Sequence, residues 1–354
     1  MFSIAVVSLE INLLMKVEAG EIVSAEAIAS NDTRRMALAV LYICVFIATV
    51  FNSSVCHSYV VLSAEPRPQP LRNGVSIGDI LYIILLYYMI VQSLWVGDEL
   101  SDMEVYSIKS FLKLGYTFHL YTYNKVKGVP SGTIIKDAAN IIPKKEIFRL
   151  KELYLPFADI WRYKMLYLNG GYWVDLDLIA IKPFHKKFEN VPYVFSSERT
   201  IQKGAYKLEA KFVPNIGVLK APKGSDLYKE AYETSMAIQR KGKNKDRIKY
   251  MRIIRKLIDK YNYSKYVVPS HYFCPLDWWH TKDAFVPKDL KDPFKEKYGV
   301  KGYSIESIFK RKNIYTVHLW RSLATHKYKL KFSGSEFYEP DSLWELLKRY
   351  VDRK

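Results

Sequence analysis

Cysteine is scarce: the 354 residues hold three, Cys44, Cys56 and Cys274, with no pair at metal-ligand spacing. Neither a structural zinc site nor a disulfide framework is expected. There is no internal repeat and no glycine-rich phosphate loop, which sets aside repeat architectures and a loop-cradled phosphate. Acidic residues are short, 36 against 54 Lys plus Arg, for a net charge of +18. The shortage is uneven, because residues 1–88 hold 5 basic and 7 acidic side chains and the rest of the chain 49 and 29. A field of that sign attracts phosphates, whether in a nucleotide, a nucleic acid or an anionic membrane, without choosing among them. With 49% hydrophobic and 25% charged residues the chain is neither collagen-like nor disordered, and it can bury a sizeable core as one large domain or two ordinary ones.

Long apolar runs are also few. Arg34-Arg35 precedes Met36 to Phe51, sixteen residues with only Thr49 as a polar break. A bilayer span wants about 20 residues. The run is still a candidate type II anchor with the arginines cytoplasmic, which would make the protein membrane-associated and Golgi-like; without it the location is cytoplasmic. Ile80 to Val91, twelve residues, resembles a buried strand, and Ala64-Glu-Pro-Arg-Pro-Gln-Pro-Leu71 reads as an extended linker. Composition, charge and pattern change near residue 89. Residues 1–88 are therefore expected to be a poorly defined extension, either an anchor or a segment upstream of a functional start at Met89, with a catalytic domain over 89–354.

From residue 89 the pattern is α/β. Met89–Val96 reads as a strand, and Ser101-Asp-Met-Glu104 as a capping box. Val105, Ile108, Phe111 and Leu112 form a helix stripe ended by Gly115, and Tyr116–Tyr123 alternates as a strand. Strand, helix and strand make a βαβ unit with parallel strands. Pro156 opens a second helix that runs to Gly170-Gly171, followed by a buried strand over Tyr172–Ile181. Further strands are expected at Tyr193–Ser197 and Phe212–Lys220, and helices at Ser225–Ile238, Tyr250–Tyr261 and Ser342–Val351.

Asp175 and Asp177 stand two apart on the expected Tyr172–Ile181 strand, so both side chains share one face and can reach one ion. Paired carboxylates in an apolar run are costly unless a cation compensates them, and hard oxygen ligands favour Mg²⁺ or Mn²⁺. The plainer alternative is a strand end whose aspartates face water. Asp159 and Arg162, three apart, are neighbours on one helix face; an intrahelical ion pair is the plainer reading. Other candidates are weaker. His271 is an acceptor-site or structural histidine, and Trp278-Trp279 a sugar platform or core. Gln239–Lys256, with nine basic residues in eighteen, is a solvated helix and loop or a face for an anionic membrane or lipid phosphate.

The order Asp159-x-x-Arg162, Gly170-Gly171, Asp175-x-Asp177 spans nineteen residues. Phe157-Ala-Asp-Ile-Trp-Arg-Tyr-Lys-Met-Leu-Tyr-Leu-Asn-Gly-Gly-Tyr-Trp-Val-Asp-Leu-Asp177 resembles the signature of glycosyltransferases with the DXD sugar-binding motif. That group includes yeast initiating α-mannosyltransferases, capsular-polysaccharide and lipooligosaccharide transferases and, more distantly, the large clostridial glucosylating toxins. Val91-Gln-Ser-Leu-Trp-Val-Gly97 and Val317-His-Leu-Trp-Arg321 are similar to family landmarks, so the resemblance spans roughly 89–330.

The resemblance implies a GT-A fold, with a Rossmann-like half and a mixed central sheet. It also implies retaining transfer of a hexose from a nucleotide diphosphate sugar, UDP- or GDP-linked, to a saccharide or glycoconjugate acceptor, as in polysaccharide biosynthesis, with Mn²⁺ or Mg²⁺. Carried over by position, Asp177 ligates the metal, and Asp175 holds the ribose or donor sugar and reaches the metal through water. His318 completes the metal or diphosphate site. Asp159 and Arg162 bind the sugar hydroxyls, and Trp320 closes over the leaving group. Gln92, Ser93, Leu94 and Trp95 lie under the base, and Asn215 faces the sugar or is only a turn asparagine. A divalent ion and basic side chains at the leaving diphosphate stabilise the charge that develops as its bond to the anomeric carbon breaks. No second carboxylate motif of comparable strength marks a glycosidase-type nucleophile. The alternatives are a Mg²⁺-dependent nuclease or phosphoryl transferase, which lacks any nucleic-acid module, and an inactive membrane-anchored carbohydrate-binding protein, which would need the metal residues lost. Nucleic acid is not an expected partner; a membrane surface is a candidate one if Met36–Phe51 is an anchor.

Overall fold

The computed structural model describes residues 90–150, 153–201, 210–241, 248–286, 305–333 and 338–353. By internal contacts the chain divides into Met1–Ile84 and Leu85–Lys354, and all the described residues belong to the second unit. The candidate anchor Met36–Phe51, the linker and most of the run Ile80–Val91 lie outside the described residues. Among the described residues no helix is long and apolar enough to cross a membrane.

β1 (Ile90–Trp95) leads to α1 (Asp102–Lys113), whose start is fixed as its sequence requires. The Ser101 amide donates to Glu104 Oε2 at 2.8 Å and the Ser101 hydroxyl to the same oxygen at 2.5 Å. Met103, Ile108 and Phe111 are its buried face. Gly115, at φ 81°, ends the turn after it, and β2 (Thr117–Thr122) returns parallel to β1. β3 (Ile134–Asp137) adds a parallel edge strand that the sequence did not announce, because all four residues are exposed and no alternation marks it.

α2 (Leu155–Asn169) has Pro156 in its first turn and buries Phe157, Trp161 and Met165. Gly170 and Gly171, both with positive φ, then turn the chain sharply into β4 (Gly171–Val174). A Cβ on Gly170 would lie 2.4 Å from the Lys223 amide nitrogen, so only glycine fits there. The strand expected over Tyr172–Ile181 is in fact two. β4 belongs to the main sheet, and β5 (Leu178–Ala180) belongs to a separate two-stranded sheet. Between them the Asp175 amide donates to the Gly217 carbonyl at 2.8 Å and the Leu178 amide to the Asp175 carbonyl at 3.3 Å. The two aspartates therefore sit on a turn, not on one strand face. Apolar residues on both sides hide that break from a periodicity argument.

β6 (Val194–Ile201) and β7 (Ala210–Ala221) form an antiparallel pair with an irregularity between Phe195 and Ser197. α3 (Asp226–Arg240) and α4 (Ile248–Lys260) pack with α2 around a core of Trp161, Tyr228 and Ile254. α5 (Ile305–Lys310) precedes β8 (Thr316–His318), which pairs antiparallel with β5. α6 (Arg321–His326) and α7 (Leu343–Asp352) complete the chain, with Trp344 and Leu347 closing a third cluster against Met103 and Val317. The main sheet runs β3-β2-β1-β4-β7-β6, parallel from β3 to β4 and antiparallel across β4, β7 and β6. The expected α/β class, with a βαβ half and a mixed central sheet, is what the structure has.

Candidate active site

From β1 the chain passes to β2 on one side, whereas β4 lies on the other side of β1. Strand order reverses here, and in parallel sheets ligands bind in the crevice outside such a reversal. Val91 pairs with Tyr172 and Gln92 with Trp173 in a parallel register, so Trp95 and Asp175 emerge at the same edge. A cavity of about 220 Å³ lies further along this edge, lined among others by Gly97, Tyr123, Asn124, Lys144, Arg149 and Tyr154.

Asp175, Asp177 and His318 each offer a ligand atom within 4.8 Å of the others. The β5–β8 pairing places His318 opposite Leu178, next to Asp177. His318 Nε2 lies 3.1 Å from Asp177 Oδ1, and Nδ1 lies 3.6 Å from Cys274 Sγ. The amide of Arg321 donates to Asp177 Oδ2 at 2.9 Å, and that of Leu319 to the Asp177 carbonyl at 2.9 Å. Trp320 stacks on the His318 ring at 4.0 Å between centroids and donates Nε1 to the Leu276 carbonyl at 2.8 Å. It holds left-handed backbone angles (φ 53°, ψ 49°), an unfavourable state for a bulky residue.

Burial works against ionisation of Asp177, but the His318 imidazole and the Arg321 amide outweigh it and hold the carboxyl at about 2. Burial likewise disfavours protonation of His318, yet Asp177 and Cys274 lift its proton affinity well above the ordinary histidine value. The Asp175 carboxyl is raised by burial, with the Arg162 guanidinium opposing and Asp177 reinforcing. Two carboxylates and one imidazole around a common point form a donor set that can hold a divalent cation.

Asp159 and Arg162 are one helical turn apart, as their spacing requires, but they do not form a surface pair. Arg162 is 3% exposed and Asp159 0%. Arg162 Nη2 lies 3.0 Å from Asp159 Oδ1, while Nη1 donates to Asp175 Oδ1 at 2.9 Å and to the Ile216 carbonyl at 2.7 Å. Trp173 supports the guanidinium from 4.6 Å and gives its own Nε1 to Asp175 Oδ1 at 2.8 Å. Asp175 and Asp177, 21% and 15% exposed, are the members of the motif that reach open space.

Gln92, Ser93 and Leu94 are buried in β1. Gln92 donates to the Gly170 carbonyl at 2.8 Å and accepts from the Tyr121 hydroxyl at 3.2 Å, tying β1 to the turn before β4. Trp95 is the first partly exposed side chain of that strand after the Ile90 start. Asn215 is buried as well. Its Oδ1 accepts from the Ser196 hydroxyl at 2.6 Å and the Gly217 amide at 2.8 Å, and its Nδ2 donates to Glu198 at 3.1 Å. Trp279 is buried core with Trp278 packed edge-on at 5.1 Å, and His271 lies 2.8 Å from the Asn313 amide.

Gly217 was not foreseen. A Cβ there would meet Asn215 Oδ1 at 3.2 Å, His318 at 3.5 Å and Asp175 Oδ2 at 3.6 Å, so the glycine forms the floor between the ligands. Cys274, Glu104 and Arg321 were also missed as site residues. Glu104 was legible only as a helix cap, and Arg321 only as the last residue of a landmark.

Residues 101–195 match the family model described as the glycosyltransferase sugar-binding region containing the DXD motif. Among solved structures, the chain is similar to "PaToxG Glycosyltransferase" at 14% identity and a TM-score of 0.34, over 49% of this chain and 69% of that one. No curated protein matches. Residues 101–195 thus carry the pattern of a glycosyltransferase sugar-binding region, and the Asp175-x-Asp177 pair lies inside it.

Proposed function

We propose that the protein is a divalent-cation-dependent hexosyltransferase of the GT-A type, using a UDP- or GDP-sugar as donor, with retention, and a saccharide or glycoconjugate as acceptor. The observation that carries the reading is the convergence of Asp175, Asp177 and His318 within 4.8 Å at the strand-order reversal. These three side chains would hold Mn²⁺ or Mg²⁺, which supplies Lewis-acid stabilisation of the leaving diphosphate. Arg162, backed by Asp159, fixes one oxygen of Asp175 and leaves Oδ2 turned towards Gly217 and His318. Trp320 covers His318 from one side and excludes water there. The cavity lined by Val96, Tyr123, Asn124 and Tyr154, just past the end of β1, has the aromatic and amide character a nucleobase needs.

The test is the full chain incubated with a panel of UDP- and GDP-sugars, with Mn²⁺, with Mg²⁺ and with chelator, following release of free nucleotide. Release from one donor that depends on the ion supports the proposal. Absence of release from every donor, or equal release in chelator, contradicts it. With a matched acceptor, NMR of the product's anomeric proton decides retention.

A further inference from the structure

Arg321 is held from three sides. Its backbone amide is bound to Asp177 Oδ2, its Nε lies 2.6 Å from Glu104 Oε1, and its guanidinium carbon lies 5.4 Å from the centre of the Trp95 ring. Trp95 is itself pressed against the chain, since a Cβ on Gly97 would come within 2.9 Å of its Nε1. Glu104 is fully buried, whereas Arg321 is 39% exposed. The inner edge of the guanidinium is thus fixed while its outer edge remains open. The contact is an ion pair made at the buried Nε, and the two Nη groups take no part in it.

The carboxylate that holds this arginine is the capping residue of α1. Its Oε2 takes the Ser101 amide and hydroxyl, and its Oε1 is left for Arg321. A glutamine at this position would close the capping box equally well. A fully buried carboxylate is costly, and burial raises the Glu104 pKa despite the arginine. Capping does not require that cost; fixing a cation at one point of the crevice does. The point is beside the candidate ion site, because the backbone amide of the same residue donates to Asp177 Oδ2 at 2.9 Å. A planar guanidinium anchored at Nε presents two parallel N–H donors, the geometry that engages phosphate oxygens bidentately.

We infer that Arg321 binds the diphosphate of the donor and of the departing nucleotide, and that Glu104 is its positioning residue. The inference rests on the transferase reading above and adds to it a protein cation on the leaving group. Its guanidinium would counter charge that grows on the leaving oxygens during transfer.

The experiment uses the full chain with Mn²⁺, titrated calorimetrically with UDP, GDP, uridine and guanosine. In Arg321→Gln the affinity for the nucleoside diphosphate that binds the wild type should fall about 10- to 100-fold, the loss expected for a charge-assisted hydrogen bond. Binding of the free nucleoside should be unchanged. Undiminished diphosphate affinity in this variant overturns the inference and leaves the transferase reading standing. If the wild type binds neither diphosphate in the presence of Mn²⁺, both fall together. Should Arg321→Gln not fold, Arg321→Lys carries the same test: it keeps a cation beside Glu104 but not the fork, and an unchanged affinity again overturns the inference. Glu104→Gln should weaken diphosphate binding in the wild-type background and add little in the Arg321→Gln background. Equal losses in both backgrounds make Glu104 a structural cap alone and overturn its positioning role.

Discussion

Asp159, Arg162 and Asp175 form a chain of contacts in which only the last carboxylate reaches open space. Asp159 then acts by holding Arg162 in place, and removing its charge leaves a buried guanidinium short of a counter-charge. Breaking a buried pair in this way costs about 3–5 kcal/mol. Asp159→Asn keeps a hydrogen-bonding oxygen, so its loss should fall towards the lower end of that range, measured by urea unfolding, with activity reduced through a misplaced Asp175. A variant with wild-type unfolding but no activity would instead make Asp159 a direct donor contact. The spacing Asp159-x-x-Arg162 announced that the two side chains would meet. It could not announce their burial, because that depends on Trp173 and on the Ile216 carbonyl, which come from β4 and β7. His318 was assigned through resemblance alone; its approach to Asp177 is created by β5–β8 pairing across more than a hundred residues.

The turn that joins α2 to β4 carries more of the site's geometry than its two glycines suggest, since the exit of β4 sets the position of Asp175. Gly170 has φ 67° and its missing Cβ would collide with the backbone at Pro222 and Lys223, whereas Gly224, at φ 78°, has nothing within 4 Å. Gly224→Ala should therefore cost only the left-handed strain, about 1–2 kcal/mol. Gly170→Ala should cost clearly more, or prevent folding, because strain and collision add. Comparing the two melting temperatures checks the argument, and equal losses would contradict it. Helices were legible to within a few residues where caps and buried stripes coincide, as at Ser101 and Pro156. The break between β4 and β5 was not, because Val174, Leu176 and Leu178 are all buried although they serve two sheets and the turn between them. β3 left no signal because nothing in it is buried.

At the scale of the molecule, the excess of basic residues beyond residue 88 is consistent with an anionic substrate but does not locate it. Location comes from topology: the reversal of strand order at β1 and β4 opens the crevice, and the second sheet carries Asp177 and His318 to its rim. On the proposed function these groups hold a divalent ion through which the nucleotide binds. The most direct measurement is thermal unfolding of the full wild-type chain and of Asp177→Asn with UDP or GDP, each with Mn²⁺ and with chelator. A ligand at a hundredfold excess over its Kd stabilises the folded state by about 2.7 kcal/mol. That rise is expected in the wild type with Mn²⁺ only, and is expected to be lost in Asp177→Asn, whose own melting without ligand remains cooperative. Equal stabilisation of both proteins by nucleotide, with or without the ion, would contradict it.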